Sequence, residues 1–238
     1  MTASYQATIQ GFKSKGLSRE EAEHLLKRSV EIAYEAREIS ADKSSKSSWE
    51  FVDSGQPSRR PVLIATSFGS YGAFLADGSE YSGNYGEAIT LQALKDFHGR
   101  RLQIFANSGA DLLAMETIPN KLEAQAYADL LDEEAMMNTP TWFSFSLKYG
   151  VNVVSGDSIK ECASIADSCK QVVVVGTNCT PPRFIHDLVV SIRKVTKKPI
   201  VIYPNNGETY DPEQKKMCRT TPNTIMGICW VLSEDRSK

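Results

Sequence analysis

Apolar runs and helix-period stripes alternate along the chain. Residues 62–66 (Val-Leu-Ile-Ala-Thr), 112–116 (Leu-Leu-Ala-Met-Glu), 141–145 (Thr-Trp-Phe-Ser-Phe), 172–176 (Val-Val-Val-Val-Gly) and 200–203 (Ile-Val-Ile-Tyr) read as strands. Three of them are nearly continuous apolar stretches, the pattern of a parallel sheet covered by helices. Between them lie helical patterns. Ser18 and Glu21 form a capping box ahead of the stripe Ala22, Leu25, Leu26, Ala33 and Ala36. Residues 87–105 read as a second helix. Asn120 caps a third, with Glu123 three residues on, and 158–169 and 183–195 read as two more. From the second strand onward, strand centres at 113, 143, 174 and 201 are about 30 residues apart, the size of a βα unit.

Two stretches interrupt the rhythm. Residues 43–60 are polar and Ser-rich and read as a solvated loop. Residues 69–86 are rich in Gly, Tyr and Ser and follow a strand, so they read as a substrate lid. Thr221 and Pro222 read as the N-cap and first residue of a final helix. Pattern alone leaves both a barrel and a doubly wound sheet open, and either places ligand-facing residues just after the strands.

The strand ends supply the candidate chemistry: Ser67 and Phe68, Glu116, the run from Asn178 and Cys179 to Pro182, and the run from Tyr203 through Asn205 to Glu208. A glutamate in an apolar strand is commonly a salt-bridged structural residue, but at the carboxyl end it can equally bind a ligand. Cys162 and Cys169 share a helix face and read as core, as does Cys229 in the apolar run of the last helix. Cys179 follows a strand, and Cys218 sits beside the start of the final helix, where a thiol's pKa is lowered. The three histidines, His24, His98 and His186, fall within helices and read as surface or interhelical residues. There is no Ser-His-Asp arrangement, P-loop or dinucleotide fingerprint.

Composition narrows the class. The 238 residues hold 27 basic and 29 acidic side chains, and no basic stretch points to nucleic acid or a membrane surface. No apolar run approaches the ~20 residues needed to span a bilayer. The first residues lack a signal-peptide pattern, and five cysteines, an odd count, do not read as a disulfide framework. A soluble, reducing, cytoplasmic setting is the expectation.

In order, the chain carries Gly69-Ser70-Tyr71-Gly72-Ala73, then Asp77-Gly78-Ser79-Glu80-Tyr81-Ser82-Gly83-Asn84-Tyr85, Glu116-Thr117-Ile118-Pro119-Asn120, Asn178-Cys179-Thr180-Pro181-Pro182, and Cys218-Arg219-Thr220-Thr221-Pro222-Asn223. This ordered set resembles the homocysteine S-methyltransferases, the plant-type enzymes that use S-methylmethionine above all. The resemblance runs from about Ser4 to Val231. It implies a (β/α)8 barrel formed by one homocysteine-binding domain over 1–238, and a zinc ion that presents the homocysteine thiolate to a sulfonium donor. Methyl transfer then needs no general base. By resemblance, Glu116 holds the amino group of homocysteine, Asn178, Tyr203 and Asn205 complete the substrate site, and Cys179 and Cys218 bind zinc.

The departures from the family pattern are specific. Relatives begin with a strand and a Gly-rich segment before the Ser-Tyr-Gln-Ala-Thr motif, which here starts at Ser4, so the first barrel strand and most of the second are expected to be missing. Relatives also carry a helix and a strand before a Gly-Gly-Cys-Cys-Arg motif. Here residues 212–217 run straight into Cys218 and Arg219, a loss of about one βα unit, and Met217 stands where the first cysteine of the pair belongs. An incomplete barrel follows. The rival readings are a non-catalytic truncated isoform and an unrelated doubly wound binding protein.

Overall fold

The computed structural model describes residues 1–46, 62–133, 138–148, 150–205, 208–211, 216–219 and 230–232, with the side chains of 43–46 and of residues beyond 205 excepted. In chain order the helices are α1 (Ile9–Lys13), α2 (Arg19–Lys46), α3 (Tyr71–Leu75), α4 (Ser79–Ser82), α5 (Leu91–Ala106), α6 (Lys121–Glu133), α7 (Ile159–Ser168) and α8 (Ile185–Arg193). The strands are β1 (Ala65–Gly69), β2 (Leu112–Ile118), β3 (Thr141–Phe145), β4 (Leu147–Lys148), β5 (Asn152–Val153), β6 (Val172–Asn178), β7 (Ile200–Tyr203), β8 (Glu208–Asp211), β9 (Lys216–Arg219) and β10 (Trp230–Leu232).

One six-stranded sheet runs β1-β2-β3-β6-β7-β10, and its first five strands are parallel. These are the five strands the sequence predicts, joined by α5, α6, α7 and α8. The α/β class and the parallel order are therefore as expected. Phe68, Leu113, Met115, Phe143, Phe145, Val175 and Ile200 are fully buried. Their burial is the main favourable term, at about 1.5–3 kcal/mol for each large side chain.

Several boundaries differ from expectation. The first strand begins at Ala65, three residues later than its apolar run, and Val62 and Leu63 are exposed. α2 continues to Lys46, into the stretch read as loop. Helix α5 starts at Leu91, because the Thr90 side chain accepts the Ala93 N–H and fixes the N-cap there. Residues 69–86 contain the short helices α3 and α4 and bury Gly72, Ala73, Ser79 and Glu80, where the sequence reads as irregular loop. The predicted final helix lies largely outside the described residues, as does Cys229, but Trp230–Leu232 form a strand antiparallel to β7. Cys162 and Cys169 are buried, as expected.

Both sides of the parallel sheet are covered. Beside β1, the Thr2 N–H donates to the Ala65 carbonyl (2.9 Å) and the Gly69 N–H to the Tyr5 carbonyl (3.2 Å). Two hydroxyls reinforce the seam: Thr2 Oγ1 accepts the Ser67 N–H at 2.9 Å, and Ser4 Oγ donates to the Ser67 carbonyl at 2.8 Å. At the other side β10 pairs with β7. Covering exposed strand edges is how sheets avoid self-association.

Candidate functional site

Glu116, Asn178, Cys179 and Tyr203 all lie at the carboxyl end of the parallel strands. Glu116 is 5% exposed. One of its carboxylate oxygens accepts from Ser67 Oγ and the other from the Tyr203 hydroxyl at 2.9 Å. Tyr203 is held in turn by Ser144 Oγ and by Trp142 Nε1 at 3.3 Å. A phenol has one proton to give. Since Glu116 takes it, the Ser144 hydroxyl donates to Tyr203. The seryl and tyrosyl bonds do not compensate the desolvation of Glu116, whose carboxyl pKa is raised by burial. Among the described residues no Lys, Arg or His pairs with it.

β2 bulges opposite β3 between Met115 and Ile118, and Thr117, one of the two residues inside the bulge, has φ +60°. Cys179 has φ +46°. Neither is a glycine, and left-handed backbone at a β-branched residue is strained. Asn178 holds both conformations. Its Oδ1 accepts the Thr117 N–H at 2.9 Å, and its Nδ2 donates to Thr117 Oγ1 at 2.7 Å and to Cys179 Sγ at 3.4 Å. Thr117 Oγ1 lies 3.9 Å from the same sulfur. Cys179 is exposed on one side, yet enough protein surrounds the sulfur for desolvation to raise its pKa, with Glu116 and Glu80 adding to the rise and Thr117 and Asn178 opposing it.

Asn205 follows β7, and its N–H donates to the Thr180 carbonyl at 3.2 Å, which ties this rim loop to the one carrying Cys179. Cys218 lies on β9, paired with Thr209 in the β8–β9 hairpin. That hairpin leaves the carboxyl end of β7, and β10 returns antiparallel from the same end. Among the described residues no three of His, Cys, Asp or Glu gather to hold a metal ion.

Sequence reasoning missed Tyr5, Glu80 and Ser144. The Tyr5 hydroxyl donates to Glu80 Oε2 at 2.9 Å, 75 residues away in the chain, and Glu80 is only 9% exposed. Ser67 was a candidate and meets Glu116. Phe68, its neighbour, turns into the core under the Arg101 guanidinium, 3.8 Å from the ring centre.

A buried polar network anchors the segment carrying Glu80. The Glu123 carboxylate, fully buried on α6, accepts from the Tyr71 N–H (2.6 Å), His98 Nε2 (2.7 Å), Tyr127 (3.3 Å) and Tyr85. Arg101 approaches His98 Nδ1 at 3.1 Å, and a guanidinium only donates. Nδ1 is therefore the acceptor and Nε2 carries the proton. His98 is neutral, its pKa lowered by burial to about 4. It is interhelical as expected, while His24 and His186 are exposed.

The residues 1–233 match the sequence profile described as homocysteine S-methyltransferase. The chain belongs to the homocysteine S-methyltransferase family. Homocysteine S-methyltransferase 3 of Arabidopsis thaliana is 57% identical over 266 aligned positions, which cover 100% of this chain and 76% of that protein. The selenocysteine methyltransferase of Astragalus bisulcatus is 58% identical over 270 positions, 100% of this chain and 79% of that one. The metallated crystal structure of the homocysteine methyltransferase MmuM from Escherichia coli superposes with a TM-score of 0.75 at 36% identity, over 87% of this chain and 66% of that chain. The chain thus spans about three quarters of these curated relatives and just under two thirds of the solved enzyme. Both alignments are longer than the 238 residues present, so these two relatives carry internal residues without a counterpart here.

Proposed function

We propose that the carboxyl-end rim binds homocysteine for methyl transfer from S-methylmethionine, giving methionine, within a single incomplete (β/α)8-type domain. One observation carries the reading: Glu116 is a buried carboxylate, oriented by Ser67 and Tyr203, with no cationic side chain on it among the described residues, next to the solvent-open Cys179. The N-terminal ammonium acts on this carboxylate without forming an ion pair with it, so a direct cationic partner can come from a ligand, and the ammonium of an amino acid fits. Asn205 borders the same space, while Asn178 acts by holding Thr117 and Cys179 in place.

The surroundings of Cys179 suit a metal ion. A sulfur facing solvent, with two hydrogen-bond donors and two carboxylate charges nearby, gains from an adjacent cation. Cys179 and Cys218 would hold zinc, which when bound keeps the substrate sulfur as thiolate at neutral pH. The metallated form of MmuM supports a metal in the family without naming which.

A second reading has its own support. The internal residues lacking here, together with Met217 beside Cys218, favour a chain that retains the amino-acid site but turns over slowly. A thioether brings no charge and is a poor zinc ligand. Calorimetric titration with homocysteine, alongside methionine formation from homocysteine and S-methylmethionine, tests both. Absence of homocysteine binding would remove the first reading, and turnover matching a full-length relative would remove the second.

A further inference from the structure

The sequence presents Gly69-Ser70-Tyr71-Gly72 as a motif, and the structure gives a steric reason for its two glycines. A Cβ on Gly69 would lie 2.3 Å from the Tyr5 carbonyl oxygen and 2.8 Å from its ring. A Cβ on Gly72 would lie 2.5 Å from the Glu80 nitrogen and 2.8 Å from its Cα. Neither contact is possible for a real side chain. One glycine therefore seats Tyr5 and the other seats Glu80, and the two seated residues bond each other at 2.9 Å.

The pair borders the reacting centre. The Tyr5 carbonyl accepts the Gly69 N–H at 3.2 Å, and Gly69 stands in register with Glu116 across the β1–β2 ladder. Glu80 thus resembles Glu116: a mostly buried carboxylate, held by a tyrosine hydroxyl, with no cationic side chain bonded to it among the described residues. The rim therefore presents two such carboxylates.

We propose that Glu80, positioned by Tyr5, binds the sulfonium of the methyl donor. The inference rests on the reading of the rim as a methyl-transfer site, where Glu116 is already assigned to the ammonium of the acceptor. In the transfer, the donor's S–CH3 bond breaks and its electron pair stays on the donor sulfur. A thiolate pair on the acceptor sulfur forms the new S–CH3 bond. Both sulfurs end neutral, so the positive charge facing Glu80 exists before transfer and not after. A carboxylate there selects a sulfonium over the thioether product and lets the product go. Tyr5 acts through Glu80 and is a positioning residue.

Equilibrium dialysis of the full chain with S-methylmethionine and, separately, with methionine tests this. The two share an ammonium and a carboxylate and differ in the charge on sulfur. The wild type should bind S-methylmethionine roughly tenfold or more tighter than methionine. In Glu80→Gln the ratio should fall close to one, and in Tyr5→Phe it should fall by several-fold, with homocysteine affinity unchanged in both. Equal weakening of both ligands in Glu80→Gln would assign the carboxylate to the donor's ammonium and overturn the proposal. So would an unchanged ratio in the variants, or no sulfonium preference in the wild type. Should one variant fail to fold, as judged by circular dichroism, the other decides. Loss of homocysteine binding with the sulfonium preference intact would overturn the reading of the acceptor site and leave the Glu80 assignment standing.

Discussion

The Tyr203 hydroxyl at the end of β7 donates to the Glu116 carboxylate at the end of β2, 2.9 Å away, although β3 and β6 lie between the two strands. Three strand spacings amount to ~14 Å in a flat sheet, where side chains on one face stand parallel to one another. The bond forms because the sheet curls and turns its strand ends toward a common centre. The Asn178–Thr117 bonds, from β6 to β2, carry the same information.

That relationship yields the first expectation. Glu116→Ala should lower homocysteine affinity by about 3–5 kcal/mol, the scale for removing one partner of a desolvated ion pair. Glu116→Gln, which keeps the shape, should lose much of it too. Calorimetry finding unchanged affinity in both would reduce Glu116 to a structural residue.

His98 gives a pH dependence. In the unfolded chain it takes up a proton near 6.5, whereas in the folded chain it resists protonation until about 4. Between those values the unfolded state binds more protons. The stability contributed by neutral His98 is complete above pH 6.5 and is lost as pH falls toward 4, amounting to about 3 kcal/mol. The groups facing the ring are Arg101 on its own helix and Glu123 and Tyr127 on α6. Denaturant unfolding from pH 7.5 to 4 should show a smaller decline in His98→Gln than in the wild type. Parallel declines would refute the assignment.

Glycine substitutions separate close approach from helix propensity. Gly69→Ala drives a methyl into the Tyr5 carbonyl and should destabilise by about 1–3 kcal/mol. Gly99→Ala, inside α5, places its methyl 3.5 Å from Leu130 Cδ2, an ordinary contact, and should stabilise by about 0.5–1 kcal/mol. Urea midpoints of the two variants should move in opposite directions.

For the metal, the expected outcome is less than one zinc per chain and methionine formation well below that of a full-length relative. Cys179→Ala should remove the bound zinc that remains. Stoichiometric zinc with full turnover would show that Met217 and the missing internal residues do not matter.

The sequence made the parallel strands and their chemistry-bearing ends legible because hydrophobic runs and βα spacing are local signals. It misplaced β1, since Val62 and Leu63 are apolar but exposed, while Thr66 and Ser67 are polar but buried. The Ser67 hydroxyl is satisfied by Glu116, 49 residues away, which no window of sequence displays. Glu80 was hidden for the same reason: its partner Tyr5 and its seat at Gly72 acquire meaning only once the chain has folded. The glycine pair Gly69 and Gly72 is the signal the sequence offers, since both positions demand room for a neighbouring backbone. The apolar run at 230–232 fits helix as well as strand, and pairing of Trp230–Leu232 with β7 decides for the strand.

The seam beside β1 consists of two backbone hydrogen bonds and two hydroxyl contacts, far less than a continuous ladder. Segments secured so lightly open locally without global unfolding, on timescales that hydrogen exchange records. The amides of Ser67 and Gly69 should therefore exchange ahead of those in β6. Because Tyr5 lies in this segment, each such opening withdraws its hydroxyl from Glu80, so the opening of this seam sets how often that carboxylate is released.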